Sequence, residues 1–136
     1  MNIITKLWPA HLVTGLWGEK EAERYLEKKG YRILSRRFRV TARDELDLIA
    51  RQGEILIFVE VKTRKSESFG RPLASVDKRK RHVLCRAAVR YLQKLKYPLT
   101  FRFDVIEVIG KEGHGKPLIR HIEDAFTLDT CYVLPW

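Results

Sequence analysis

The strongest pattern of hydrophobic and polar positions runs over residues 54–62, Glu-Ile-Leu-Ile-Phe-Val-Glu-Val-Lys. Side chains alternate faces along a strand. Ile55, Ile57, Val59 and Val61 therefore share one face, and Leu56, Phe58, Glu60 and Lys62 share the other. A strand apolar on both faces belongs in the interior of a sheet. The pattern breaks at Glu60 and Lys62, which place an acid and a base at the end of a core face. A local rule broken in this way marks a candidate functional position.

Residues 45–50 read as a second strand, and Arg51-Gln52-Gly53 supplies a turn signal, so the two runs form a hairpin. With Gln52-Gly53 as the loop, Asp47 stands opposite Phe58. Glu60 is then a diagonal neighbour at roughly 7–8 Å. An odd loop length would instead send the two carboxylates to opposite faces.

The remaining chain alternates helical and strand periodicity. Residues 15–29 read as a helix stopped by Gly30, with Ala22, Tyr25 and Leu26 on its apolar stripe. Glu19 and Glu23 fall on the same stripe. Glu19 admits two readings: a third site carboxylate, or a first-turn acid favoured by the helix dipole. Residues 31–40 read as a strand with Arg32, Arg36, Arg37 and Arg39, suited to an edge or to phosphate contact. Residues 65–72 form a loop beside the proposed site. Residues 75–96 read as a second helix, with Val83, Leu84, Ala87, Tyr91 and Leu92 on its apolar side. It opens on Lys78-Arg79-Lys80-Arg81, cations that oppose the helix dipole. Anion binding and a solvated face explain that run equally well, and Lys80 lies on the inward side. Residues 100–109 form a further strand in which Arg102 and Asp104 can pair structurally, and residues 118–122 a short last one. His121 reads as structural. The expected division is an arm over 1–14, a domain over 15–127 and a tail over 128–136.

Composition narrows the class. The 136 residues fit one domain, with 45% hydrophobic and 32% charged residues in the globular range. Lys and Arg number 27 against 17 Asp and Glu, a net charge of +10. That excess points to a polyanionic partner, foremost nucleic acid. No apolar run reaches membrane-spanning length, and no signal-peptide pattern opens the chain. Cys85 and Cys131 lack metal-ligand spacing. A cytoplasmic protein with reduced cysteines and no membrane or zinc role is expected.

Asp47 and Glu60, with the main-chain carbonyl of Val61, form an oxygen-donor set suited to Mg²⁺ or Mn²⁺. Lys62 on the Glu60 face would stabilise a phosphoryl transition state. Arg64, Lys78, Arg79, Lys80 and Arg81 are the candidate phosphate contacts. The plainer reading is that Lys62 pairs with Glu60 or Asp47 at a strand end.

The segments Gly18-Glu19, Gly30-Tyr31, Glu45-Leu46-Asp47-Leu48-Ile49, Phe58-Val59-Glu60-Val61-Lys62-Thr63-Arg64, Arg102-Phe103-Asp104-Val105 and Ala125-Phe126 resemble the YraN-like family. The resemblance covers about residues 15–127. It implies an α/β restriction-endonuclease-like (PD-(D/E)xK) core, a central mixed sheet flanked by helices in the order αβββαβ. It is similar to archaeal Holliday junction resolvases, and by position implies catalytic Glu19, Asp47, Glu60 and Lys62, with Glu19 joining the metal ligands. The expected function is a metal-dependent endonuclease acting on DNA, branched or structured, with a homodimer as the expected assembly. The alternatives are a non-catalytic nucleic-acid-binding protein that keeps the fold, and an adaptor for an acidic protein. One departure is Asp44, where the family usually has Gly before the Glu-hydrophobic-Asp segment.

Overall fold

The computed structural model describes residues 10–39, 45–66, 78–95 and 100–128, with side chains from Gly15 onward. Helix α1 spans Ala10–Lys28, strands β1 Arg32–Arg39, β2 Glu45–Gln52 and β3 Ile55–Arg64, helix α2 Lys78–Leu92, and strands β4 Thr100–Ile109 and β5 Leu118–Phe126. They form an α/β fold with one five-stranded sheet in the order β1-β2-β3-β4-β5. Only β3 and β4 are parallel. Parallel neighbours need a crossover, and α2 lies on it.

Three expectations change. Helix α1 starts at Ala10 rather than Gly15, so residues 10–14 of the expected arm are helical. No proline interrupts the run back to Ala10, and Gly15 is carried inside the helix. The C-terminal stop holds: Gly30 has φ 89°. Its N–H and that of Tyr31 bond the carbonyls of Glu27 and Leu26, a Schellman arrangement. Strand β5 continues past Ile122 to Phe126, because a register shift and a left-handed Asp124 (φ 51°) break its alternation. The hairpin loop is Gly53-Glu54, since Gln52 pairs with Ile55. Gly53, with φ 61°, takes the first loop position, as a II′ turn requires. Asp44, residues 67–77, Cys131 and the tail beyond residue 128 lie outside the described residues.

The sheet is buried on both faces. Leu56, Phe58, Phe103 and Phe126 pack against Leu84, Ala88 and Leu92 of α2. Ile57, Val59, Ile106 and Val108 pack with Trp17, Ala22 and Leu26 of α1. At the β4–β5 side, Arg102 Nε donates to Asp104 Oδ1 at 2.9 Å, and its Nη2 donates to Tyr31 Oη at 2.8 Å. His121 Nε2 lies 2.7 Å from Asp104 Oδ2. The residues named as structural on sequence grounds, Arg102, Asp104 and His121, thus tie β4 to β5 and to the start of β1. Among the described residues no helix is long and apolar enough to cross a membrane.

Candidate functional site

Glu60 closes the apolar α2 face of β3, where core packing has already excluded water. Its side chain is only 4% exposed. Lys62 Nζ and Lys80 Nζ each lie 3.6 Å from its Oε1. Oε2 is buried and, among the described residues, accepts no hydrogen bond. Burial pushes the Glu60 carboxyl above its ordinary value, and Lys80 and Lys62 oppose that push.

Asp47 stands where β2 changes face. Leu46 belongs to the α2-side core and Leu48 to the α1-side core. A regular strand would put both on one face. The β2–β3 register pairs Leu48 with Val59 and Ile49 with Phe58. The pairing ends at Leu48, and beyond it Asp47 comes near enough to Glu60 for the two carboxylates to act on one another. The sequence reading put Asp47 opposite Phe58 because it placed the turn one residue early. The Asp47 side chain takes over the ladder: the Val61 N–H donates to Oδ2 at 2.8 Å. A strand residue's N–H and C=O point to the same neighbour, so the Val61 carbonyl faces the β2 side as well. Burial pushes Asp47 well above the usual carboxylate range, the neighbouring Glu60 pushes it further, and the Val61 N–H pulls it back. Glu19 adds a smaller upward push.

Glu19 reaches the site because α1 sits unusually close to β3. A Cβ on Gly18 would lie 3.1 Å from Thr63 Cβ and overlap its hydroxyl. Only glycine permits that approach, which sets the next residue, Glu19, over the strand ends. Carboxylate oxygens of Glu19, Glu45 and Asp47 all lie within 4.8 Å of one another. Sequence reasoning missed Glu45. Its signal was simple spacing, since it precedes Asp47 by two on the same strand.

Strand β1 closes the far side. Arg37 Nη2 lies 2.6 Å from Glu19 Oε2, and Arg39 Nη2 2.9 Å from Glu45 Oε2. Arg36 pairs with Glu23 one helical turn on. Glu19, Arg37 and Asp47 line a cleft of about 300 Å³. Of the four carboxylates, Asp47 has no cationic side-chain partner among the described residues. Lys80, which pairs with Glu60, also draws the Asp47 carboxyl down.

The other named residues separate into two groups. Lys80 turns inward to Glu60, whereas Lys78, Arg79 and Arg81 are exposed on α2. Arg64 lies away from the carboxylates, with Nε 2.9 Å from Glu107 Oε2. The donor set is all oxygen and partly buried. It therefore fits a hard divalent cation better than zinc.

The family described as "Uncharacterised protein family UPF0102" matches residues 18–108. A UPF0102 protein of Syntrophomonas wolfei is 44% identical over 113 residues, covering 82% of this chain and 96% of that protein. One of Chlorobaculum tepidum is 47% identical over 117 residues, covering 82% and 90%. One of Clostridium acetobutylicum is 43% identical over 115 residues, covering 84% and 93%.

Proposed function

The chain belongs to the uncharacterised protein family UPF0102, and we propose that it is a divalent-metal-dependent endonuclease hydrolysing phosphodiester bonds in DNA, with branched or otherwise structured DNA as its substrate. The observation that carries the reading is the Asp47–Glu60 pair. Two buried carboxylates act on one another, Glu60 raising the Asp47 carboxyl, and among the described residues Glu60 Oε2 has no hydrogen bond. Leaving such a group unpaired is unfavourable by roughly 1–3 kcal/mol or more. The order α-β-β-β-α-β, here extended by β5, supports a restriction-endonuclease-like core.

Asp47, Glu60 and the Val61 carbonyl would hold Mg²⁺ or Mn²⁺, and Glu19 and Glu45 bring carboxylate oxygens within 4.8 Å of one of Asp47. A bound divalent ion supplies a water of lowered pKa and neutralises charge on the phosphate. The protein groups do the rest. Lys62 shares the Glu60 face and presents its ammonium to the phosphoryl oxygen on which negative charge grows. Lys80 offers a second cation to the same carboxylate and holds it in place. The net charge of +10 draws the polyanion to the site. A cytoplasmic homodimer cutting both strands belongs to the same proposal.

One observation favours a second reading. Arg37 and Arg39 already pair with Glu19 and Glu45. A site neutralised by its own arginines suits a non-catalytic DNA-binding protein that keeps the fold. Labelled duplex, single-stranded, flap and four-way-junction DNAs, incubated with Mg²⁺, Mn²⁺ or EDTA, separate the two. Metal-dependent cutting by the wild type that disappears in Glu60→Ala supports the nuclease. Binding without cutting under every metal condition moves the assignment to the binder.

A further inference from the structure

Two of the three clustered carboxylates are already held by arginines. Arg37 donates from both Nε and Nη2 to Glu19 Oε2, at 3.1 and 2.6 Å. Arg39 Nη2 donates to Glu45 Oε2 at 2.9 Å. Both arginines come from β1, which ends the sheet and pairs only with β2 among the described strands. Their side chains are 40% and 61% exposed, against 18% for Glu19 and 27% for Glu45. In each pair the acid is the inner member and the guanidinium stands at the rim. Glu19 and Arg37 share with Asp47 the cleft of about 300 Å³, so their pair is open to a ligand in it.

The same acids suit a second counter-ion. Oxygens of Glu19, Glu45 and Asp47 lie within 4.8 Å of one another. Asp47 in turn interacts with Glu60, 4% exposed, whose Oε2 accepts no hydrogen bond among the described residues. An orphaned buried oxygen beside the cluster is a separate sign that a cation belongs there. Mg²⁺ carries twice the charge of a guanidinium and approaches a carboxylate oxygen to about 2.0–2.1 Å, closer than either arginine does. Coulomb attraction grows with charge and falls with distance, so the ion outcompetes the arginines for these carboxylates. Partly exposed ion pairs are weak and yield. The ion also repels the guanidiniums, which stay charged at any working pH. From the rim they turn toward solvent and the anions in it.

We propose that Arg37 and Arg39 are metal-controlled phosphate contacts, resting on Glu19 and Glu45 in the metal-free protein and passing to backbone phosphates of the nucleic acid when a divalent cation takes those carboxylates. The inference rests on the metal-dependent nuclease reading above and adds how metal and substrate control one another's binding. A guanidinium fork fits phosphate as it fits carboxylate, so the same side chains serve both states. Coupling of this kind is reciprocal: metal tightens nucleic-acid binding, and nucleic acid tightens metal binding by the same factor. The metal-free protein, with both arginines occupied by its own acids, holds nucleic acid more loosely. The Arg37–Glu19 and Arg39–Glu45 pairs are then the resting state of the nuclease.

The test is fluorescence anisotropy of a labelled four-way junction with the full chain, in EDTA and in Ca²⁺, from about 50 to 200 mM salt. Ca²⁺ takes oxygen ligands as Mg²⁺ does, and isothermal titration first measures its binding to the wild type. Wild type is compared with Arg37→Gln/Arg39→Gln and, in EDTA, with Glu19→Ala and Glu112→Ala. Each phosphate contact steepens the fall of log K with log salt by about 0.9. Wild type should be steeper in Ca²⁺ than in EDTA, and this increment should exceed that of the double variant by about 0.9 for each arginine released. Glu19→Ala frees Arg37 without metal, so its slope in EDTA should exceed the wild-type slope by about 0.9. Glu112, exposed between β4 and β5, controls for the loss of one negative charge, and Glu112→Ala should keep the wild-type slope. Equal Ca²⁺ increments in wild type and double variant overturn the switch alone. So does an EDTA slope for Glu19→Ala no steeper than that of Glu112→Ala, and this arm decides the matter if the double variant does not fold. Absence of Ca²⁺ binding by the wild type overturns the metal reading, and absence of junction binding overturns the nucleic-acid reading, each taking the switch with it.

Discussion

Arg37 Nη2 lies 2.6 Å from Glu19 Oε2, and Arg37 makes that contact with a left-handed backbone, φ 51°. The two facts are connected. Consecutive strand residues point to opposite faces, yet Arg36 and Arg37 both pair with acids of α1, Glu23 and Glu19. The left-handed residue is what lets two neighbours face one helix. For a non-glycine it costs about 1–2 kcal/mol.

If Glu19 is a metal ligand, Arg37 competes with the cation for it. Arg37→Gln should therefore tighten Mn²⁺ binding. A partly exposed ion pair is worth up to about 1 kcal/mol, so the gain should be roughly two- to fivefold. Isothermal titration of the metal-free protein measures it. An unchanged affinity would remove Glu19 from the ligand set.

Stability should depend on pH in a direction set by Asp47 and Glu60. Both carboxyls are raised above their ordinary values of 3.8 and 4.5, chiefly by burial. A raised carboxyl stabilises the folded state while protonated, and that contribution is lost as pH rises through the folded pKa. The metal-free protein should lose Tm as pH climbs from about 4.5 upward. Mg²⁺ binds the ionised pair and should restore it. Asp47→Asn should flatten the metal-free slope. Thermal melts in EDTA and in Mg²⁺ give both curves, and a Tm that climbs through this window in EDTA would contradict the account.

Asp104 behaves in the opposite sense. Burial pushes its carboxyl up, but hydrogen bonds from His121, Arg102 and the Asp124 N–H outweigh burial and hold it below 3.8. Its stabilisation is present above the unfolded value and lost as pH falls through the folded one. Asp104→Asn removes one partner of a buried ion pair, which costs roughly 3–5 kcal/mol. Urea unfolding at pH 7 should show that loss, and the gap to wild type should narrow below about pH 4.

Gly18 supplies a structural route to the same site. Gly18→Ala forces a Cβ against Thr63. Overpacking of this kind costs typically 1–3 kcal/mol. Because Glu19 is the next residue, Mn²⁺ affinity should fall as well. Gly18→Ala combined with Thr63→Ala, which removes the overlapping hydroxyl together with the methyl, should recover part of the stability. A destabilised variant with unchanged metal affinity would separate helix packing from the site.

Much of this protein is legible in its sequence, because alternation and helical spacing are local. The β3 strand and its break at Glu60 and Lys62 follow from alternation alone, and Gly30 ends α1 through its own backbone freedom. The inward aim of Lys80 follows from its place on the apolar side of α2. The approach of Asp47 to Glu60 does not follow. It depends on a hairpin register set by Gly53 and on a face change at Asp47, and a one-residue slip in either redirects every side chain. Glu45 joins the carboxylates, and Arg37 closes over them, only once β1 and α1 are packed on the same strand end. Arg64, Glu107 and Arg120 lie on three strands and meet through the sheet alone. Contacts between distant segments are decided by register and layer packing, which no single stretch of sequence encodes.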